Sequence, residues 1–144
     1  MKSTLISNPP YNMKWQAPAF AQIQPRFAEC YTVPPENNAN FAFILTGLEK
    51  NERCVFLLPC SVLSGGLKEE KAIREWLVEK NMVEAVILCP DNMFESTGIS
   101  TCIIIFDKNK NCNNGNGGLK EKIQRRNSGT EWTVWRSLSH EQDI

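Results

Sequence analysis

Three apolar runs decide the fold: Arg53-Cys54-Val55-Phe56-Leu57-Leu58, Met82-Val83-Glu84-Ala85-Val86-Ile87-Leu88-Cys89 and Thr101-Cys102-Ile103-Ile104-Ile105-Phe106. Pro59 and Pro90 stop the first two, because proline has no N–H to give a ladder. Short runs without polar alternation fit strands buried on both faces. Between the first two, Gly65-Gly66 opens a helix over about 68–80, with Ile73, Trp76 and Leu77 on one face. Its other face carries Glu70 and Arg74 at i, i+4, and Asn81 closes it. Strand, helix, strand of these lengths is a βαβ unit, so the two strands should run parallel. The link 90–100 has no helical period and is too short for a crossover. The third run should therefore be antiparallel to the second. The expected class is α/β, a mixed sheet of parallel strands with one antiparallel strand and flanking helices.

Upstream, Thr4-Leu5-Ile6-Ser7 reads as a short strand ended by Pro9-Pro10. Residues 12–36 read as irregular, because Pro18, Pro25, Pro34 and Pro35 break every helical window. Asn37 and Asn38 then offer an N-cap for a helix with Phe41, Ile44, Leu45 and Leu48 at i, i+3, i+4, i+7, ending at Lys50-Asn51. Downstream, residues 109–118 are a flexible Asn/Gly loop. Its Gly115-Asn116-Gly117-Gly118 cluster opens no helix and reads as a linker, not a phosphate loop. A basic tail spans 119–144, with Lys120, Lys122, Arg125 and Arg126 as a solvated face or, less commonly for such runs, a phosphate contact, and a strand-like Trp132-Thr133-Val134-Trp135. The organisation is thus one domain over 1–108, a loop over 109–118 and the tail.

Composition excludes several classes. The 144 residues carry sixteen Lys+Arg against sixteen Asp+Glu, and 42% are hydrophobic. One core is supported, disorder of most of the chain is not, and nucleic-acid contact must rest on local charge. No apolar run is long enough to span a bilayer, and the N-terminus does not read as a signal peptide, so a cytoplasmic protein is expected. Cys30, Cys54, Cys60, Cys89, Cys102 and Cys112 form no C-x-x-C pair, and His140 is the only histidine. Reduced cysteines and no metal site are expected.

Asn8-Pro9-Pro10-Tyr11 follows a strand directly, where α/β sheets place ligands. The plain reading is a strand end, a polyproline turn and a surface Tyr. The chemical reading starts from an exocyclic amino group, whose lone pair is delocalised into its ring. An Asn side-chain oxygen and a backbone carbonyl can each accept one of its N–H bonds and aim that lone pair at an incoming methyl group. Prolines lock the carbonyl direction, and the aromatic ring offers a stacking surface to a base out of the helix.

This tetrapeptide is similar to the catalytic motif of amino-directed DNA methyltransferases, and the chain resembles the modification subunit of type I restriction systems. The resemblance is carried by Gln24-Pro25-Arg26-Phe27, Asn38-Ala39-Asn40-Phe41-Ala42-Phe43, Leu57-Leu58-Pro59-Cys60-Ser61-Val62-Leu63 and Ile73-Arg74-Glu75-Trp76-Leu77. It continues through Glu84-Ala85-Val86-Ile87, Pro90-Asp91-Asn92-Met93-Phe94 and Thr97-Gly98-Ile99-Ser100-Thr101-Cys102-Ile103. The resemblance implies a partial Rossmann-like methyltransferase sheet and methyl transfer from S-adenosylmethionine to a flipped adenine in double-stranded DNA. It implies Asn8, Pro9, Pro10 and Tyr11 as the catalytic set, with Asn8 and Pro9 also on the methyl side of the cofactor. Tyr11 would stack on the base. Phe94 either joins it or plugs a loop, and Asp91 is either a polar contact in the pocket or, the preferred reading, a turn-former after Pro90. Trp15 and Phe20 either line the DNA cleft or pack on it. Specificity and restriction subunits are the implied partners. In the family the cofactor is held mainly by strands preceding the motif, which stands at residue 8 here, so the resemblance implies an incomplete cofactor site and a chain inactive alone. The alternative is a non-catalytic binding or assembly module that pairs with a separate N-terminal half or with another copy.

Overall fold

A computed structural model describes residues 3–90 and 98–109 in full, and residues 121–127 and 130–136 as backbone. In chain order the elements are β1 (Thr4–Ser7), a 3-10 turn (Ala21–Ile23), α1 (Pro25–Ala28), α2 (Asn40–Lys50), β2 (Arg53–Pro59), α3 (Ser61–Ser64) and α4 (Lys68–Glu79). They continue with β3 (Val83–Leu88), β4 (Thr101–Asp107), β5 (Glu121–Asn127) and β6 (Thr130–Arg136). One six-stranded sheet has the order β1-β2-β4-β3-β6-β5. β1 is parallel to β2, with Thr4 opposite Arg53 and Ser7 opposite Phe56. β4 is antiparallel to both β2 and β3. β2 and β3 therefore point the same way, as the βαβ reading expects, with β4 laid between them. Its composition suits that central place. Cys102, Ile104 and Phe106 are buried, and Ile103 and Ile105 are half-buried in alternation with them.

The core lies between the sheet and the helices. Phe27, Ile44, Phe56, Leu58, Ile73 and Phe106 are essentially inaccessible, and Phe56 meets Phe106 edge-on at 6.1 Å. Such contact replaces apolar hydration, worth roughly 25 cal/mol per Å² buried. The apolar stripe of α2 is buried as its spacing predicts: Phe41, Ile44, Leu45 and Leu48 all face inward. Gly47 on the same helix lets it lie close to the sheet. A Cβ there would stand 2.8 Å from Leu5 Cδ2 and 2.9 Å from Phe56 Cζ.

Four local expectations are corrected. The N-cap of α2 is Ala39, with no side-chain capping bond, because the Asn38 amide is drawn away to Glu70. Glu70 does not lie on a solvent face of α4; it is 6% exposed. Its carboxylate accepts the Asn38 Nδ2–H at 2.9 Å and lies 3.9 Å from the Arg74 guanidinium. Arg74 in turn donates to the carbonyls of Gly65 and Val62, tying α4 to the turn after β2. The Pro-broken stretch is not wholly irregular. Pro25, at the first position of α1, loses no helical hydrogen bond there. Finally, residues 121–127, read as solvated tail, form β5, which pairs with β6, and β6 pairs with β3. Asn81, with φ 54°, closes α4 as expected.

Candidate functional site

Because β1, β2 and β3 share a direction, the residues that follow them gather at one end of the sheet. Asn8 follows β1, Cys60 follows β2, Cys89 follows β3, and Gly98–Ser100 lead into β4 at that end. Two main-chain bonds stitch it: the Cys60 N–H donates to the Ser100 carbonyl at 2.8 Å, and the Cys89 N–H to the Thr101 carbonyl at 3.0 Å. Ligands of open α/β sheets bind outside the carboxyl ends of parallel strands, and this is that end.

Within the motif, Asn8 and Pro10 are exposed, Pro9 is buried and Tyr11 is half-buried. Neither the Asn8 side chain nor the Pro9 carbonyl has a hydrogen-bond partner among the described residues. Burial, helped by the Cys89 and Cys102 thiols, pushes the Tyr11 phenol above its usual range. Burial chiefly, and then Cys60 and Cys89, raise the Cys102 thiol as well. Both groups stay protonated at neutral pH. Cys102 is thus a packed thiol and no nucleophile.

The chain leaves the motif through a left-handed residue, Asn12, with φ 51°. Asn40 at the start of α2 holds it by two bonds. The Asn12 N–H donates to Asn40 Oδ1 at 3.1 Å, and Asn40 Nδ2 donates to Asn12 Oδ1 at 3.0 Å. Beyond it the loop is zipped to the segment before α2. Ala39 N–H donates to the Met13 carbonyl at 2.7 Å, and Trp15 N–H to the Glu36 carbonyl at 3.0 Å. Trp15 Nε1–H donates to the Pro35 carbonyl at 2.8 Å, and Ala17 N–H to Glu36 Oε1 at 3.1 Å. These bonds separate two aromatics that the sequence leaves together. Trp15 is half-buried, its ring 6.0 Å from that of Phe27, whereas Phe20 is 71% exposed. Spacing does not reveal Asn12 and Asn40 as a pair, although Asn40 lies inside one of the segments that carry the family resemblance.

Phe94, Asp91, Lys120, Cys112, His140 and the Gly115–Gly118 cluster lie outside the described residues. Cys30, Cys54, Cys60, Cys89 and Cys102 are free thiols. Among the described residues no group of three or more His, Cys, Asp or Glu is placed to hold a metal, and no helix is long and apolar enough to cross a membrane.

Comparison with known proteins places the chain in a family. The family model of N-6 DNA methylases matches residues 1–131. The type I restriction enzyme MpnII methylase subunit of Mycoplasma pneumoniae is 32% identical over 112 residues, covering 74% of this chain and 20% of that protein. The HindI methylase subunit of Haemophilus influenzae is 32% identical over 110 residues, covering 74% and 24%. The chain thus spans about a fifth to a quarter of the length of these relatives. A crystal structure of the type I restriction-modification methyltransferase subunit from Streptococcus thermophilus superposes with a TM-score of 0.69 at 36% identity, over 75% of this chain and 24% of that one. The family model covers most of the chain, which belongs to the N-6 DNA methylase family.

Proposed function

We propose that this chain carries the base-handling part of a site-specific adenine-N6 DNA methyltransferase of the type I restriction-modification kind. The observation that carries the reading is the pair of acceptors unspent among the described residues, the Asn8 side-chain oxygen and the Pro9 carbonyl, at the carboxyl end of β1. Each takes one N–H of the adenine amino group, which leaves the nitrogen lone pair free toward the methyl donor. The gain comes from orientation and fixed dipoles, with no covalent intermediate. Pro10 stiffens the turn, and Tyr11, with Phe94 beyond the described residues, stacks on the flipped base. S-adenosylmethionine supplies the methyl group when bound. Asn8 and Pro9 serve only its methyl side. Glu36, one of the two carboxylates the adjoining loop offers to ribose hydroxyls, already accepts the Ala17 N–H. In this reading the described residues serve only the methyl side of the cofactor and do not transfer methyl by themselves. Its partners are double-stranded DNA, specificity and restriction subunits and the segment that completes the cofactor site, all in the cytoplasm.

A second reading, a non-catalytic assembly module, is favoured by β1. This strand pairs only with β2 among the described strands, and its Ile6 is 79% exposed. An open edge of this kind invites another strand, from a separate N-terminal half or from a second copy. One experiment separates the readings. Residues 1–109 are exchanged into the Mycoplasma relative, and methyl transfer to its target DNA is compared with and without Asn8→Ala. The catalytic reading expects transfer to fall by about a hundredfold or more, the scale of losing an oriented dipole, at unchanged S-adenosylmethionine affinity. Transfer indifferent to Asn8 leaves the assembly reading.

A further inference from the structure

We propose that Asn40 is a positioning residue for the Asn8–Tyr11 motif: from the first turn of α2 it holds Asn12 in left-handed backbone and thereby fixes where the Tyr11 ring stands. The inference rests on the catalytic reading for its purpose and on geometry for its substance.

Asn40 is 2% exposed, one of few buried polar side chains among the described residues. Such a group must have partners. Both hydrogen bonds of its side chain among the described residues are to Asn12, 28 residues earlier. The first is the N–H of the peptide joining Tyr11 to Asn12, so Asn40 Oδ1 orients the peptide plane on which Tyr11 hangs. The second is the Asn12 side chain, which keeps that residue in place. A non-glycine residue at φ 51° is sterically disfavoured, and Asn tolerates it when a hydrogen bond compensates. Asn40 supplies that compensation. It is itself fixed, since its neighbour Phe41 is buried in the core and the Ala39 N–H is bonded to the Met13 carbonyl. The residue must accept and donate at once. An amide does both, and no apolar side chain does either. The consequence at the motif is a Tyr11 ring held half-buried near Cys89 and Cys102 before any base arrives, which lowers the ordering cost of stacking.

The test uses the full chain, labelled with 13C and 15N, free of DNA and cofactor. The Cα and Cβ shifts of Asn12 report its backbone, and the ring resonances of Tyr11 report its surroundings. Tyr31, 93% exposed, is an internal reference. In Asn40→Ala the Asn12 shifts should leave the left-handed range, and the Tyr11 ring should move toward the shifts of Tyr31. Adding Asn12→Gly should restore the Tyr11 resonances, because glycine takes positive φ without support. A residue that merely fills space would show no such rescue. Asn12→Ala, which leaves the packing of α2 whole, must displace Tyr11 in the same direction and provides the test if Asn40→Ala does not fold. Unmoved Tyr11 resonances in Asn12→Ala, or no rescue by Asn12→Gly in a folded Asn40→Ala chain, would overturn the proposal. Neither result depends on methyl transfer, so failure of the catalytic reading would be recognised separately.

Discussion

Replacing Gly65 with alanine should destabilise the protein by displacing one buried carboxylate, that of Glu70. Gly65 has φ −52° and ψ 131°, a conformation open to any residue, so space and not backbone freedom is the constraint. A Cβ there would overlap Glu70 Oε2 outright, with Glu70 Cδ at 2.9 Å and the Ser61 carbonyl oxygen at 3.1 Å. The carboxylate must leave. It then forfeits the Asn38 hydrogen bond at 2.9 Å and the Arg74 contact at 3.9 Å. A hydrogen bond to a charged group contributes about 1.5–3 kcal/mol. The long, partly exposed ion pair adds roughly 0.2–1 kcal/mol. The expected loss is about 2–4 kcal/mol. Glu70→Ala incurs much the same loss by itself. In that background Gly65→Ala has no carboxylate to displace and should change stability by no more than about 0.5 kcal/mol, the size of an ordinary surface change. Urea melts of the four chains, followed by circular dichroism at constant m, give the coupling. Independent sites add to within roughly 0.3–0.5 kcal/mol. Additive losses, or a single Gly65→Ala variant as stable as the parent, would refute the reasoning.

Gly47→Ala gains about 1 kcal/mol of helix propensity. It also drives a methyl against Leu5, which can turn aside, and against Phe56, which is fully buried against Phe106 and cannot. With overpacking at about 1–3 kcal/mol, the net change should be a loss of up to about 2 kcal/mol; a higher urea midpoint would show that Phe56 yields. Burial pushes the Cys54 thiol from 9.0 up to about 11. A raised folded value means stability that is whole below pH 9 and lost as pH rises through about 11, on the order of 2–3 kcal/mol at 1.36 kcal/mol per pH unit. Cys54→Ala should make that alkaline limb shallower in melts between pH 8 and 11, leaving the shares of the other buried thiols, Cys30 and Cys102. An unchanged limb would place its cause elsewhere.

Much of the fold is legible because central strands and amphipathic helices advertise themselves locally. Residues 53–58, 82–89 and 101–106 are apolar without alternation, and each becomes a strand within a residue or two of its expected ends. Their directions follow from link lengths alone. β5 is different in kind. Glu121-Lys122-Ile123-Gln124-Arg125-Arg126-Asn127 has one apolar residue and no period, so nothing local distinguishes it from a solvated tail. It is a strand because β6 supplies its backbone partners, and pairing is a long-range property that propensity does not encode. Glu70 misleads for a related reason. An i, i+4 Glu–Arg pair is the ordinary mark of an exposed helix face, and only the arrival of Asn38 and the Gly65 turn makes its burial tolerable.

The site divides along the same line. The Asn8–Tyr11 motif is local, so its residue types and its place after a strand are enough to single it out. Its support is not local. Asn37, Asn38 and Asn40 stand together before an amphipathic run, and the commonest meaning of Asn there is an N-cap. Three such residues within four positions make the cap reading stronger, although only one N-cap position exists. In the folded chain no side chain caps α2. Asn38 turns to Glu70 on α4, and Asn40 turns back to Asn12 beyond the motif. Each amide gives up a bond to the helix end for a bond to a separate part of the chain, where burial strengthens it and penalises its loss. Capping would stabilise α2 alone. The bonds actually made join α2 to α4 on one side and to the residue after Tyr11 on the other, so the helix start works as a bracket between the core and the motif. An excess of cap-forming residues at a helix start therefore marks a place where tertiary partners compete for them. Here the competing partner is Asn12, next to Tyr11.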